Sequence, residues 1–315
     1  MTTRHHTMDS LGEWLLALYQ NARHTEPDIF QRQTLAQLKT FIEFDFAAWG
    51  GGLAATRTIA QVTVLNQSPG LFAEWQQVAH QDAYCELALQ RLNHAVMFDD
   101  VPGFRQSAAY LNHWQRYDAR QMLATIRAEP VSGYVSFIGL CHADRAHVYD
   151  EQDRQHKDLL MPHLATALQL SHDHLMQSAG GVDEAVALVS LDGSILTCQP
   201  GFLALIHEEW GPSANRLPRE AFHCAIASAR WRGRRIQLQS NTLADYQLVR
   251  AQPADNIQSL TQRELEIAAL YAQGLSHKQI ARDLQIAPAT VRNHIARVYQ
   301  RLNVANKSEL ARLIQ

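Results

Sequence analysis

The chain has 315 residues, 46% hydrophobic and 19% charged, with a formal net charge of −3. That balance describes a globular protein with room for two or three domains of about 100–200 residues, and excludes a disordered chain. No apolar run of about 18 residues occurs, so no membrane-spanning helix is expected, and the start lacks the apolar core of a secretory signal, so the expected compartment is the cytoplasm. Cys85, Cys141, Cys198 and Cys224 lie far apart without a Cys-x-x-Cys pair, which points to reduced thiols rather than disulfides or zinc. From Leu260 onward eight Lys/Arg face four Asp/Glu, a charge of +4, leaving −7 for the rest. A basic end on an acidic body suits a tail that meets a polyanion.

Ser10-Leu-Gly-Glu13 has capping-box spacing, and Leu11, Trp14, Leu15 and Leu18 share one helical face after it. A second helical pattern covers Ile29–Ile42. Strands are expected over Phe44–Trp49 and Ile59–Leu65, with Gly50-Gly-Gly52 opening a flexible hairpin turn between them; those glycines lack phosphate-loop spacing. Helical stretches follow near 71–79, 84–92 and 106–117, then strands at Leu123–Ala128 and Tyr134–Leu140. A long helix, about Glu151 to Met176, carries Leu159, Leu160, Leu164, Ala167, Leu168 and Leu175 as an apolar stripe. Helices flanking an antiparallel sheet make an α+β layout.

Two joints, Ser178-Ala-Gly-Gly181 and the proline-broken Ala251–Asn256, divide the chain into 1–178, 182–252 and 258–315. The middle segment reads as strand Ala185–Ser190, an Asp192-Gly193 turn, strand Ser194–Cys198, a short helix Gly201–Ile206, and strands at Arg235–Gln239 and Tyr246–Arg250. Between these, Trp231-Arg-Gly-Arg-Arg235 reads as a solvated basic loop. No internal sequence repeat is evident.

The tail has the clearest pattern. Thr261 and Glu264 are spaced as a capping box, Ile267, Leu270 and Tyr271 mark a buried side, and Gly274 ends the helix. Ser276–Gln279 opens a second helix with Ile280, Ala281 and Leu284 inward. After a short turn Pro288 occupies a first helical position, where no N–H is needed. Val291, Ile295, Val298 and Leu302 then recur with core spacing, and Asn306–Glu309 caps a fourth helix. Two short helices joined by a brief turn describe a helix-turn-helix. Thr290, Arg292, Asn293, Ala296, Arg297, Gln300 and Arg301 are left facing solvent, a face chemically suited to the major groove.

Leu260-Thr-x-Arg-Glu-x-Glu-Ile, Gly274-Leu-Ser, Lys278-Gln-Ile-Ala, Leu284-x-Ile, Thr290-Val-Arg-x-His-Ile, Arg301-Leu-x-Val and Asn306-Lys-x-Glu-Leu resemble the LuxR-type (GerE) DNA-binding domain. The resemblance implies base reading by Arg292, Asn293 and Ala296, and phosphate contacts from Lys278, Thr290, Arg297 and Arg301. It implies double-stranded DNA, a second copy meeting the fourth helix (Lys307–Ile314), and RNA polymerase as partners. Ala287 replaces the usual Ser or Thr N-cap, a loss of about 1 kcal/mol; Ala296 is shorter than the usual base-reading side chain, and Lys307 stands for Arg. Upstream, Tyr149-Asp-Glu-Gln-Asp153 with Leu160-Met-Pro-His-Leu164 and Ala167-Leu168 resembles the final helix of GAF-like domains. The strand, Asp-Gly turn, strand and short helix after residue 185 resemble the opening of a PAS domain, with Cys198-Gln199 where Asn is usual. The expected fold is thus an α+β sensor region, GAF-like and then PAS-like, before an all-α four-helix helix-turn-helix domain.

Trp75, Asp82, Tyr84, Trp114 and Tyr117 form an aromatic-rich group in which Asp82 can accept a hydrogen bond from a ligand amide; they are the candidate site for a small-molecule effector, with core packing as the alternative. Ala83 stands where the acyl-homoserine-lactone pattern has Pro, so the effector's chemistry stays open. A phosphorylated receiver is excluded: Phe98-Asp-Asp100 lies mid-domain, and only Lys157, inside a helix, follows it before the tail. No Walker-type glycine-lysine loop is present. The histidines do not converge, and His172 and His174 diverge on a helix, so neither metal nor cofactor is expected. No Ser-His-Asp, paired-carboxylate or Cys-His order supports catalysis. The expectation is a ligand- or partner-controlled transcription regulator; an adaptor whose tail only dimerises and an enzyme with an appended tail are the alternatives.

Overall fold

The computed structural model describes residues 8–128, 134–178, 185–212, 214, 216–243, 246–254, 260–302, 304 and 306–314. His5-His6, the glycine joint beyond Ser178 and the linker from residue 255 lie outside them. The chain forms two compact units, 1–231 with 238–251, and 232–237 with 252–315.

Among the described residues ten strands make two sheets: β1 (Phe46–Leu53), β2 (Thr58–Leu65), β3 (Val96–Met97), β4 (Gln121–Ala128) and β5 (Tyr134–His142), then β6 (Ala185–Ser190), β7 (Ile195–Cys198), β8 (Arg230–Arg232), β9 (Ile236–Leu243) and β10 (Tyr246–Pro253). The orders are β2-β1-β5-β4-β3 and β7-β6-β10-β9-β8. Counted within each sheet these are one order, although the sequence carries no repeat.

The first sheet is antiparallel throughout, and its inner strands β1, β4 and β5 are buried on both faces while the edge strand β2 is half-buried. On one face lie α1 (Met8–Ala22), α2 (Pro27–Leu38) and α6 (Glu151–Ser178), where Phe30, Leu35 and Leu164 share a core with Trp49, Leu123, Ile138 and Leu140. On the other, α3 (Gly70–Trp75), α4 (Ala83–Gln90) and α5 (Ala108–Asn112) enclose Phe46, Ala48, Met122, Ala124 and Cys141. Burying both faces suppresses polar–apolar alternation, so Met122–Ile126 of β4 carries Thr125 as its one polar residue. α6 continues onto the second sheet, where Leu175 and Met176 pack with Val186, Leu188 and Leu248.

Several sequence expectations need correction. Gly50, Gly51 and Gly52 belong to β1, paired with both β2 and β5, and the turn falls at 54–57. Crowding explains them. A Cβ on Gly50 would sit 2.6 Å from the Gln61 carbonyl oxygen, on Gly51 2.3 Å from the Tyr134 ring, and on Gly52 1.9 Å from the Thr58 carbonyl oxygen. α1 begins at Met8, so Ser10–Glu13 lies within the helix. Leu159 is 54% exposed and off the α6 stripe, whose inward side includes Leu160, Met161, Leu164, Ala167 and Leu168. The middle helices are shorter than expected because 3-10 turns at 79–81 and 114–117 complete them. The sequence reading places no helix or strand between Ile206 and Arg235 and takes 231–235 as a solvated loop; the structure has α7 (Pro200–Trp210), α8 (Arg219–Ser228) and the exposed strand β8, with Trp231 stacked on Trp210 at 5.1 Å.

In the second unit, α9 (Gln262–Ala272), α10 (His277–Asp283), α11 (Pro288–Leu302) and α12 (Lys307–Ile314) share a core of Ile267, Ile280, Val291, Ile295, Val298, Leu302 and Leu310.

Candidate DNA interface and effector cavity

Each helix of the second unit starts on a residue built for it. Thr261 Oγ1 accepts from the Glu264 N–H at 3.3 Å while Glu264 Oε2 accepts from the Thr261 N–H at 2.9 Å. Ser276 and Gln279 repeat the box, and Asn306 Oδ1 accepts from the Glu309 N–H at 2.9 Å. Gly274 (φ +107°) permits the turn into α10. Before α11, Gln285 adopts φ +52° and Pro288 follows as its first residue.

The four apolar residues of α11 are buried, and Thr290, Arg292, Asn293, Ala296 and Arg297 are exposed along its other side. Lys278 is exposed on α10. Arg301 differs: its guanidinium is bonded to the Glu264 carboxylate, which is only 3% exposed. Hydrogen bonds from Thr261 and this arginine hold the Glu264 carboxyl below its usual range. Arg301 therefore locks α11 to the start of α9. Lys307 sits 4.4 Å over the Tyr271 ring, and Arg263 donates to the Leu284 carbonyl at 2.9 Å. Part of the tail's positive charge thus ties its helices together, a division that sequence spacing does not reveal.

The second site is an apolar cavity of ≈ 100 Å³ between the first sheet, α3, α4 and Trp114. Trp75, Asp82, Tyr84 and Trp114 line it; Tyr117 does not. Its volume arises from a row of small residues that sequence reading missed: Ala48, Gly139 and Ala124 are neighbours across β1, β5 and β4. A sequence signal exists in the shrinking alternate residues Phe46, Ala48, Gly50 and Gly52. Asp82 Oδ2 accepts from both indole nitrogens, Trp75 and Trp114, each at 2.8 Å. Its Oδ1 accepts from the N–H groups of Tyr84 and Cys85 at 3.0 and 3.1 Å, capping α4. Tyr84 donates to the Val96 carbonyl at 2.7 Å. Burial pushes the Cys85 thiol up to about 12 and the Cys141 thiol higher still, so both stay neutral. Arg57, in the β1–β2 turn, also lines the cavity, its guanidinium bonded to the Ala79 carbonyl and to Glu86.

Among the described residues no group of three or more His, Cys, Asp or Glu is placed to hold a metal ion, and no helix is long and apolar enough to cross a membrane.

By geometry the second unit is a helix-turn-helix domain. The family model "Bacterial regulatory proteins, luxR family" matches residues 258–314, and the C-terminal domain belongs to that family. The HTH-type transcriptional regulator MalT of Vibrio campbellii is 43% identical over 63 residues, 20% of this chain and 6% of that protein, so the chain spans a small part of that relative. Two solved structures share a loose overall likeness. Escherichia coli SdiA has 13% identity and a TM-score of 0.40, covering 96% of both chains. The VqsR LBD domain of Pseudomonas aeruginosa has 15% identity and a TM-score of 0.41, covering 52% of this chain and 98% of that one.

Proposed function

We propose that this chain is a bacterial transcription regulator that binds duplex DNA through α11 and answers to a small molecule held by its first unit. The observation that carries the reading is the exposed side of α11, presented by three capped helices of a luxR-family domain. In the major groove Arg292 would take guanine O6 and N7, Asn293 adenine, and the Ala296 methyl a thymine methyl, while Lys278, Thr290 and Arg297 meet phosphates. Arg301, already bonded to Glu264, would reach phosphate only with its remaining donors. A homodimer contacting through α12 would address two half-sites about one helical turn apart, in the cytoplasm where the chromosome lies. We read 1–178 as GAF-like, 182–252 as PAS-like and 258–315 as the DNA-binding segment; the strand order common to the two sheets supports treating the first pair as related modules. The cavity among Trp75, Asp82, Tyr84 and Trp114 is the effector site, and α6, which packs on both sheets, is the element its occupancy would move.

The test is selection of duplexes from a randomised pool by the full-length protein. A pseudo-palindromic consensus is expected, and Arg292→Ala should flatten one base position per half-site by about 1–3 kcal/mol. Retention of no duplex would overturn the reading in favour of an adaptor whose tail only dimerises, and retention without sequence preference would overturn base reading by α11.

A further inference from the structure

Resting on the DNA-binding reading above, we propose that the hairpin between β8 and β9 is a second DNA contact. Its Arg232, Arg234 and Arg235 take phosphates of the duplex beside the half-site that α11 reads.

Positive charge is concentrated here against the trend of the chain. Residues 1–220 hold 15 Lys/Arg against 25 Asp/Glu, a charge of −10, and no Asp or Glu occurs between Glu220 and Asp245. Three arginines fall within four positions of that acid-free stretch, and all three are exposed. Their planar forks match phosphate oxygens two at a time, which a lysine cannot do. The backbone beneath them is pinned. The Gly233 N–H donates to the Ile236 carbonyl at 2.8 Å, closing the hairpin, and the Ala254 N–H donates to the Arg235 carbonyl at 2.7 Å, tying it to β10. Strand alternation then sets Arg232 opposite Gln237, on the side away from Trp231. Gln237 Nε2 in turn donates to Gln252 Oε1 at 3.4 Å, so two amides lie beside that guanidinium. Each of the three arginines also makes an interaction within the protein. A guanidinium has five donors, so such an interaction and a phosphate are compatible.

The hairpin also lies where DNA can reach it. Residues 232–237 fall in the same compact unit as α9–α12. Ala254, bonded to Arg235, precedes Thr261, the N-cap of α9, by seven residues, a span of at most about 25 Å at ~3.6 Å per residue. Duplex DNA carries one charge per ~1.7 Å of its axis, so phosphates flanking a bound half-site lie within that reach. An acidic protein surface would attract the same cluster, but the shared unit with the DNA-binding helices favours DNA.

The experiment measures binding of the full-length protein to a selected site on two duplexes, by fluorescence anisotropy across about 50–200 mM salt. One duplex is trimmed to the site; the other extends it by about one helical turn, ~10 base pairs, on each side. The parent should bind the longer duplex more tightly and with a steeper salt slope. Arg232→Gln, Arg234→Gln and Arg235→Gln together should weaken the longer duplex at least about tenfold at 0.1 M salt. The slope should become shallower by about 0.9 for each phosphate released, with sequence preference unchanged. Binding of the trimmed duplex should stay within about twofold, which also shows that the variant is folded. Lysine at the same three positions should retain the parent's slope. Suppose the glutamine variant binds the longer duplex like the parent while Lys278→Ala still makes the slope shallower. That result would overturn the hairpin contact, leave DNA binding by α11 standing and turn the hairpin over to an acidic protein surface. Equal losses on both duplexes would overturn the flanking placement. Failure of the parent to bind either duplex would overturn both readings.

Discussion

Lys157 offers a sharp test of how the first unit is held together. It is fully buried in the second turn of α6, where Nζ donates to the Ile138 carbonyl at 2.8 Å and to Thr125 Oγ1 at 3.1 Å. Burial lowers its pKa from 10.5 to about 7, opposed by the adjacent Asp158. Because the folded value is the lower one, the unfolded chain holds the extra proton between pH 7 and 10.5. Stability therefore rises with pH through that window, by about 1.4 kcal/mol per unit at full slope, and is lost again as pH falls to about 7. Lys157→Met keeps the length and removes the titration, leaving the Ile138 carbonyl and the Thr125 hydroxyl without the amine, a loss of about 1–3 kcal/mol. At pH 8, holding the lysine neutral costs the folded state about 3 kcal/mol, so the two effects nearly cancel and the variant should be about as stable as the parent. The discriminating quantity is the pH dependence of their difference. All six tryptophans precede residue 232, so urea unfolding followed by tryptophan fluorescence reports the first unit alone. Between pH 7 and 8.5 the contribution of the thiols is common to the two proteins and cancels in the difference, so the parent should gain about 1.5 kcal/mol on the variant. Parallel curves would refute the reasoning and place a permanently charged ammonium in the core.

Other consequences follow from single contacts. Gly52→Ala should destabilise the first unit by more than about 2 kcal/mol, because its Cβ meets the Thr58 carbonyl, whereas Gly139→Ala, with its nearest contact at 3.9 Å, should stay within about 1 kcal/mol; urea unfolding compares them. Glu264→Gln should weaken the second unit by about 1–3 kcal/mol through loss of the charged bond to Arg301, seen as faster amide hydrogen exchange in α9 and α11 of the full chain. Since the folded Glu264 value is depressed, its contribution is present above pH 4.5 and lost as pH falls through the folded value. Asp82→Asn should release one or both indoles and shift the fluorescence of Trp75 and Trp114, with a stability loss of about 1–3 kcal/mol.

The helix-turn-helix was legible because its signals are local. A capping box spans four residues, and the α11 core spacing repeats within one helix. The charges were less legible: Arg301 and Glu264 are 37 positions apart, and only folding shows that this arginine belongs partly to the scaffold. Four of the five residues of the aromatic group line the cavity, but the reason for the cavity is not legible in sequence, since Ala48, Gly139 and Ala124 become neighbours only through strand pairing. The glycine run was misread for a similar reason. Consecutive glycines signal a turn unless two partner strands crowd them, and that crowding comes from residues such as Tyr134, far along the chain. In sequence Lys157 is only a lysine inside a helix, because periodicity alone does not say that its turn of α6 sits over the sheet at Thr125 and Ile138.

The central claim, that α11 and its neighbours meet DNA, is tested most directly by the salt dependence of binding. Affinity of the full-length protein for a selected duplex and for a scrambled one would be measured by fluorescence anisotropy between about 50 and 200 mM salt. Log affinity should fall linearly with log salt for both duplexes, with a slope near −0.9 for each phosphate-bound cation. Lys278→Ala should make that slope shallower by about one per protomer without altering preference between the duplexes. Binding that is indifferent to salt, or a slope unchanged by Lys278→Ala and by Arg297→Ala alike, would contradict the account.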